Sequence, residues 1–270
     1  MKYIFKGEYP MSTTPVSIKF MTFNLRVDCA TDGIQSFSNR FGRVVELLKK
    51  ERPSVVGFQE VTDSMRVILR ENLPGYTVQG CGREANYHGE SMLFAYRSDE
   101  IELITLDNLW LSPTPRVPGS TYGGDQSKCP RMMTTALLKH NSVQEPFRFV
   151  NTHFDHIGQN ARFLEAKQLC EYLSSCPEKF VLTGDFNAIP TSLEMEWMTK
   201  TLCLHGAIDC TQNLGGTFHN FGKIAPADME KIDYIFTNGV CQDVYIVPDT
   251  PVNGQYYSDH HAICALISLE

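Results

Sequence analysis

FRFVNTH (147–153), FDHIGQNARFLEAKQLCEYLSSCPEK (154–179) and FVLTGDFN (180–187) together decide the fold. Phe147 to His153 is a short apolar run and reads as a strand. Gln159 to Ser175 carries its apolar residues at helical spacing, and Phe180 to Thr183 reads as a buried strand that runs into Gly184-Asp185-Phe186-Asn187. This strand-helix-strand unit ends on an acid. The N-terminal part repeats the layout: Ser17 to Leu25 as a strand, Arg40 to Lys50 as an amphipathic helix, and Ser54 to Gln59 as a buried strand between Pro53 and Glu60. Further β-rich stretches fall at 90–96, 101–111, 132–140, 234–237, 240–247 and 262–269. Two halves of similar layout predict an α/β architecture in which two sheets pack face to face with helices outside.

The chain has 270 residues, 42% of them hydrophobic, enough for a substantial core in one large domain spanning 16–270, with residues 1–15 as a tail. A net charge of -7 argues against a broadly basic surface that tracks a polyanion. No run is long and apolar enough to span a bilayer, and the N-terminus lacks a signal peptide's apolar stretch, so a cytoplasmic protein without a membrane partner is expected. Nine cysteines without a C-x-x-C pair point to free thiols rather than a disulfide framework or a thiolate zinc site. No obligate protein partner is evident. Residues 112–130 carry four prolines and three glycines, a loop long enough either to cover a site or to be a surface excursion.

The chemistry lies in polar residues that end apolar strands: Asn24 after KFMTF, Glu60 after VVGFQ, His153 after FRFVNT, Asp185 after FVLTG, and Asp233 just before YIF. Strand ends of a packed sheet converge on one rim, where Asp259 and His260 join them. Any one has a plain explanation, since Asn and Asp often end strands; together they do not. Oxygen donors such as Asn24, Glu60 and Asp259 suit a hard cation, Mg²⁺ or Mn²⁺. A zinc cluster of His153, Asp155 and His156 is disfavoured, because residues three apart on an extended strand face opposite ways. Asp185 and Asn187, two apart, can share a face and handle water and a phosphate oxygen. An acid beside an imidazole fixes its tautomer, and the candidate pairs are Asp233 with His260 and Glu90 with His153.

MTFNLR (21–26), FQE (58–60), ESMLFAYR (90–97), NTHFD (151–155), GDFNA (184–188), KIDYIF (231–236) and SDHHAI (258–263) occur in that order. In this the chain resembles the endonuclease/exonuclease/phosphatase superfamily, the fold of deoxyribonuclease I. The resemblance implies a four-layer α/β sandwich of two mainly antiparallel sheets. It implies Glu60 as principal metal ligand, with Asn24 and Asp259 near one or two ions. Asp185 and Asn187 would orient the attacking water and the phosphate. His260, paired with Asp233, would bind the scissile phosphate or act as general base, and Glu90 and His153 would form the second acid–histidine pair. Arg131 falls where that family often places a phosphate-facing arginine.

The superfamily fixes the bond class better than the substrate. Thr62 stands where deoxyribonuclease I has an arginine that enters the DNA minor groove, and Arg26 stands where abasic-site endonucleases carry a metal-associated aspartate. Both departures point away from duplex DNA. The expectation is a metal-dependent hydrolase of a small or medium phosphorylated compound, mono- or diester, by in-line attack of water. The alternatives are a nuclease on short or single-stranded nucleic acid and, in another class, an inactive interaction module that would have lost these positions. Arg83, Arg116, Arg131 and Arg162 are candidates for recognising phosphate or sugar near the rim.

Overall fold

Strand β1 (Ile18–Asn24) lies parallel to β2 (Val55–Val61), as it must when helix α1 (Phe37–Glu51) carries the chain back between them. The structure, a computed structural model, describes residues 16–270; the expected tail lies outside the described residues. Helix α2 (Asp63–Asn72) follows, then strands β3 (Tyr76–Gln79), β4 (Ser91–Arg97), β5 (Ile101–Trp110) and β6 (Met132–His140). Strand β7 (Phe147–His153), helix α3 (Gln159–Ser175) and strand β8 (Phe180–Asp185) form the second crossover, with β8 parallel to β7. Helix α4 (Leu193–Leu204) and strands β9 (Ile208–Asp209), β10 (Asp233–Thr237), β11 (Val240–Ile246) and β12 (Ile263–Ser268) complete the order. The two six-stranded sheets run β11-β12-β1-β2-β4-β3 and β5-β6-β7-β8-β10-β9, antiparallel apart from the two crossover pairs.

Side-chain alternation along the strands makes the layers. On β1, Ile18 and Phe20 join the core between the sheets with Phe94, Phe147 and Phe149, while Met21 and Phe23 turn outward to meet Val44 and Leu48 of α1 and Leu69 of α2. The other sheet's outer face packs Leu182 and Phe236 on Leu169 and Leu173 of α3 and Met198 and Leu202 of α4. The result is the four-layer sandwich that the two halves of the sequence implied. No described helix is long and apolar enough to cross a membrane.

Toward the end where the parallel strands finish, the inter-sheet core turns polar. Asn151, fully buried on β7, donates to Phe58 O and Leu93 O, both at 2.8 Å, and accepts from Gln59 Nε2 at 2.7 Å. One amide therefore clasps both sheets, and it fits because residue 57 has no side chain: a Cβ there would collide with Thr183 Oγ1 and Asn151 Oδ1. Gly57→Ala is expected to destabilise the protein by about 1–3 kcal/mol, the scale of overpacking. An unchanged urea midpoint would show that the sheets separate freely at this point.

Four elements were not anticipated: α2, α4, β3 and β9. Helix α2 fully buries only Met65 and Leu69, too thin a stripe to stand out, and is started by Thr62, whose Oγ1 accepts from Met65 N–H. Strands β3 and β9 have four and two residues, too few for alternation to declare itself.

Candidate active site

Strand register assembles the site. His153 on β7 and Asp233 on β10 both lie opposite Asp185 on β8, one on each side. On the facing sheet Asn24 pairs with Gln59, which puts Glu60 one residue beyond, at the same end. Glu60, Arg26 and Asn187 all adopt positive φ, at 62°, 53° and 47°. Left-handed backbone at three non-glycine residues of one site is the kind of local cost that persists where side chains must be aimed.

Asn24 joins the two halves: its Nδ2 donates to Glu60 Oε1 at 3.0 Å and to Asp185 Oδ2 at 2.9 Å, and its Oδ1 accepts from Arg26 N–H. Glu60 Oε2 accepts from Val27 N–H, so the carboxylate is held at both oxygens. Asp185 Oδ1 accepts from the Asn187 N–H at 2.9 Å, while the Asn187 side chain donates to Phe154 O and His153 Nε2, both at 2.9 Å. Asp233 Oδ2 takes His260 Nδ1 at 2.9 Å and the Thr217 hydroxyl at 2.6 Å. The expected Asp233–His260 pair is therefore formed.

Charge follows from burial and neighbours. Burial works against a charged His260, yet the carboxylates of Asp233, Asp185 and Asp259 around it raise its pKa to about 10. Burial and the charges of Arg131 and Arg83 hold His153 neutral, well below the usual imidazole range. Burial, then Asp233, pushes the Asp185 carboxyl upward, and burial with the Glu60 charge close by does the same to Asp259. Buried anions crowded in this way are poised for a cation. Donor atoms of Glu60, His153 and Asp185 lie within 4.8 Å of one another, as do those of Asp185, Asp233 and His260. Glu60 and Asp259, both on the cavity wall, form a hard oxygen set that fits a divalent cation.

Several expectations take a different form. Asn24 turns its amide nitrogen toward the carboxylates of Glu60 and Asp185 and its oxygen toward the Arg26 N–H. Glu90 does not meet His153; it is bound by Arg83, Nη2 to Oε1 at 2.7 Å, and the buried His153 Nδ1 has no partner among the described residues. Arg162 lies off the cavity, held by the buried Glu194 of α4 at 2.7 Å. Arg116 is an exposed arginine tied to Asp107 at 2.9 Å, also away from it. Arg83 and Arg131 do line the cavity. The triplet His153, Asp155 and His156 splits up: Asp155 receives the N–H groups of Ser127, Ile157 and Gly158, and His156 Nδ1 faces Arg131 Nη2 at 2.7 Å. The 112–130 loop neither covers the mouth nor hangs free. Asp125 caps the N–H groups of Asn160 and Ala161 at the start of α3, and in this stretch only Cys129 touches the cavity.

The cavity measures about 530 Å³. Sequence reasoning missed Arg26, His156 and Phe218 as parts of its wall. Arg26 sits 3.8 Å from Asp259 and 3.1 Å from Asp32, and the Phe218 ring lies 4.9 Å from that of His260. The signal for Phe218 was its place in GGTFHN, two residues after a glycine pair and ahead of the Asp233 strand.

The profile of the Endonuclease/Exonuclease/phosphatase family matches residues 21–260. A solved structure of an endonuclease/exonuclease/phosphatase from Bacteroides vulgatus is similar at 30% identity and a TM-score of 0.86, over 94% of this chain and 100% of that one. A functionally unknown conserved protein from Enterococcus faecalis is similar at 29% identity and a TM-score of 0.84, again over 94% and 100%. A mannosyl-6-phosphatase from Bacteroides thetaiotaomicron shares the fold, at 24% identity and a TM-score of 0.82 over 93% and 99%. A match across the whole sandwich, from the first core strand to the histidine beside Asp233, has one meaning: the chain belongs to the endonuclease/exonuclease/phosphatase family of phosphoester hydrolases, with the deoxyribonuclease I-like fold.

Proposed function

We propose that this chain is an Mg²⁺- or Mn²⁺-dependent phosphoesterase acting on a small phosphorylated compound from the cavity that Asp185, Asn187 and His260 share. The observation that carries the reading is the register of β7, β8 and β10, which sets a neutral histidine, an acid and an acid-paired histidine side by side across from Glu60. A cavity of about 530 Å³ is the size for a small molecule. Its arginines are each engaged, Arg26 by Asp32, Arg83 by Glu90 and Arg131 by His156, which speaks against a cationic channel following a nucleic-acid backbone. All nine cysteines are free, which is consistent with this one-domain enzyme, residues 16–270, working in the reducing cytoplasm.

Asp185, its carboxyl oriented by Asn24 and the Asn187 N–H, accepts the proton of the attacking water. Both amide hydrogens of Asn187 are committed to Phe154 O and His153 Nε2, so its Oδ1 is left to align that water in line with the phosphorus. His153 acts as the acceptor that fixes Asn187. His260, with Nδ1 on Asp233, presents Nε2–H to a phosphoryl oxygen, and Arg131 lies on the same wall. A divalent cation held by Glu60 and Asp259 would supply further neutralisation of the charge developing on the phosphoryl oxygens.

With Mg²⁺ or Mn²⁺, p-nitrophenyl phosphate, its bis ester, and sugar and inositol phosphates are expected to be hydrolysed in preference to short DNA and RNA strands. Glu60→Gln is expected to lower that hydrolysis by roughly 100-fold or more, the scale of losing a charge-stabilising group. Cleavage of the oligonucleotides alone would transfer the chain to the nuclease branch of its family.

A further inference from the structure

Arg40, in the first turn of α1, is wholly buried, and neither its place nor its partners favour a charge there. A cation at a helix N-terminus faces the positive end of the helix dipole. Its hydrogen bonds all go to backbone carbonyls and none to a carboxylate. Nε donates to Gln35 O at 2.7 Å, Nη1 to Tyr257 O, and Nη2 to Leu25 O and, at 3.2 Å, to Arg26 O. The rings of Phe37 and Phe221 lie 5.5 and 5.8 Å from the guanidinium carbon. Burial lowers its pKa to about 10, against the pull of Asp259, Asp32, Asp28 and Glu60, so the group is still a cation at neutral pH. Apolar replacement of a buried ionic group is often neutral or stabilising, so packing alone gives no reason for this charge.

The carbonyls that Arg40 holds lead to the carboxylate proposed to carry the cation. Leu25 O and Arg26 N–H are the two ends of one peptide unit, Arg26 O and Val27 N–H those of the next, and in a trans peptide these ends point opposite ways. Arg26 N–H donates to Asn24 Oδ1 at 2.9 Å and Val27 N–H to Glu60 Oε2 at 3.0 Å, while Asn24 Nδ2 donates to Glu60 Oε1. Both oxygens of Glu60 are thus reached from Arg40: Oε2 through one peptide, Oε1 through the other and Asn24. A charged donor at the head of such a chain polarises the bonds along it. The two bonds also tie down Arg26, whose backbone is left-handed at φ 53°. Through Tyr257 O the same guanidinium fixes the backbone two residues ahead of Asp259.

Resting on the metal-dependent reading above, we propose that Arg40 is a positioning residue for the divalent cation. It touches neither ion nor substrate, and it sets the affinity of the site by holding Glu60 through two successive peptides and Asp259 through Tyr257.

The test titrates Mn²⁺ into the full chain without substrate and measures the free ion by electron paramagnetic resonance, for wild type, Arg40→Lys and Phe221→Leu, with folding checked by circular dichroism. Lysine keeps the charge but has one nitrogen in place of the planar fork that spans these carbonyls. Arg40→Lys is expected to weaken Mn²⁺ binding by about tenfold or more, the scale of losing an outer partner of a metal ligand. The Mn²⁺ concentration that half-activates hydrolysis of p-nitrophenyl phosphate should rise by the same factor. A role confined to stability would lower the melting temperature of the metal-free protein and leave the Mn²⁺ dissociation constant of the folded protein unchanged, which would overturn the proposal. If Arg40→Lys does not fold, Phe221→Leu decides: Phe221 is half-buried beside the guanidinium, so its loss is expected to weaken Mn²⁺ binding in the same direction, and an unchanged constant would again overturn the proposal. Wild-type protein that binds neither Mn²⁺ nor Mg²⁺ would remove the metal-dependent reading and this proposal together. Wild-type binding left unaltered in the variants would remove this proposal alone.

Discussion

Replacing His260 by alanine is expected to lower kcat on a phosphate ester by roughly 10²–10³, with a much smaller change in KM. His260 is nearly inaccessible, and burial alone would favour the neutral ring. Asp233 at 2.9 Å and the nearby Asp185 and Asp259 reverse that balance and raise the pKa to about 10. The ring is then an imidazolium throughout the neutral range, with Nδ1–H committed to Asp233 and Nε2–H 3.8 Å from Asp185. A fixed positive donor beside the group that activates water interacts more strongly with a phosphoryl oxygen as charge accumulates on it, so the loss falls on kcat. In the proposed mechanism the protonated ring therefore serves as a donor, and the proton of the attacking water goes to Asp185. The variant keeps the Thr217 hydroxyl on Asp233, so a folded protein with a lowered melting temperature is expected. Steady-state kinetics decide the matter: a variant retaining a third of wild-type kcat would exclude His260 from phosphoryl stabilisation.

Residues that end strands were readable because an apolar run stopping at Asn24, Glu60, His153 or Asp185 is a local signal, and convergence at one end follows from parallel crossovers. The Asp233–His260 pair was nameable only as a candidate and from the family pattern; the contact itself depends on the pairing of the Asp233 strand with that of Asp185, which the fold supplies. The choice among arginines was not readable. Arg131 precedes β6 and Arg162 lies on α3 after the NTHFD segment, but the partner of Arg162 is Glu194 on α4, an element whose existence the sequence pattern did not disclose. Glu90 was assigned to His153 on the spacing of a family pattern; its actual partner, Arg83, depends on a hairpin that turns through positive φ at Tyr87 and Gly89. Strand termini are written in local composition. Side-chain partners across elements depend on where loops return, which no short window contains.

Glu165→Gln is expected to stabilise the protein increasingly as pH rises from about 4.5 to about 8, by a few kcal/mol at the upper end. Glu165 projects from α3 into a wholly buried position where Oε2 accepts from Asp155 N–H at 2.9 Å and Oε1 has no partner among the described residues. Burial pushes its pKa to about 8 despite that hydrogen bond and the charges of Arg131 and Arg162. Below pH 4.5 the acid is protonated in both folded and unfolded chains and contributes no pH dependence. Between the two pKa values the unfolded chain has lost the proton while the folded one retains it, so the folded state binds more protons and stability falls as pH rises. Above about 8 both are ionised and the full cost of the buried charge remains. Glutamine reproduces the shape of the protonated acid and cannot ionise, so the difference in unfolding free energy between variant and wild type should be near its minimum at pH 4.5 and grow toward pH 8.5 in urea titrations. A constant difference would mean that Glu165 ionises as easily in the fold as in water. The consequence reaches the cavity, because the N–H that Glu165 holds belongs to Asp155, whose carboxylate lies 3.5 Å from Arg131 Nε and gathers the Ser127, Ile157 and Gly158 N–H groups beneath the wall. Ionising Glu165 sets a second anion against Asp155, so the alignment of Arg131 and the stability of the fold should weaken over the same pH range.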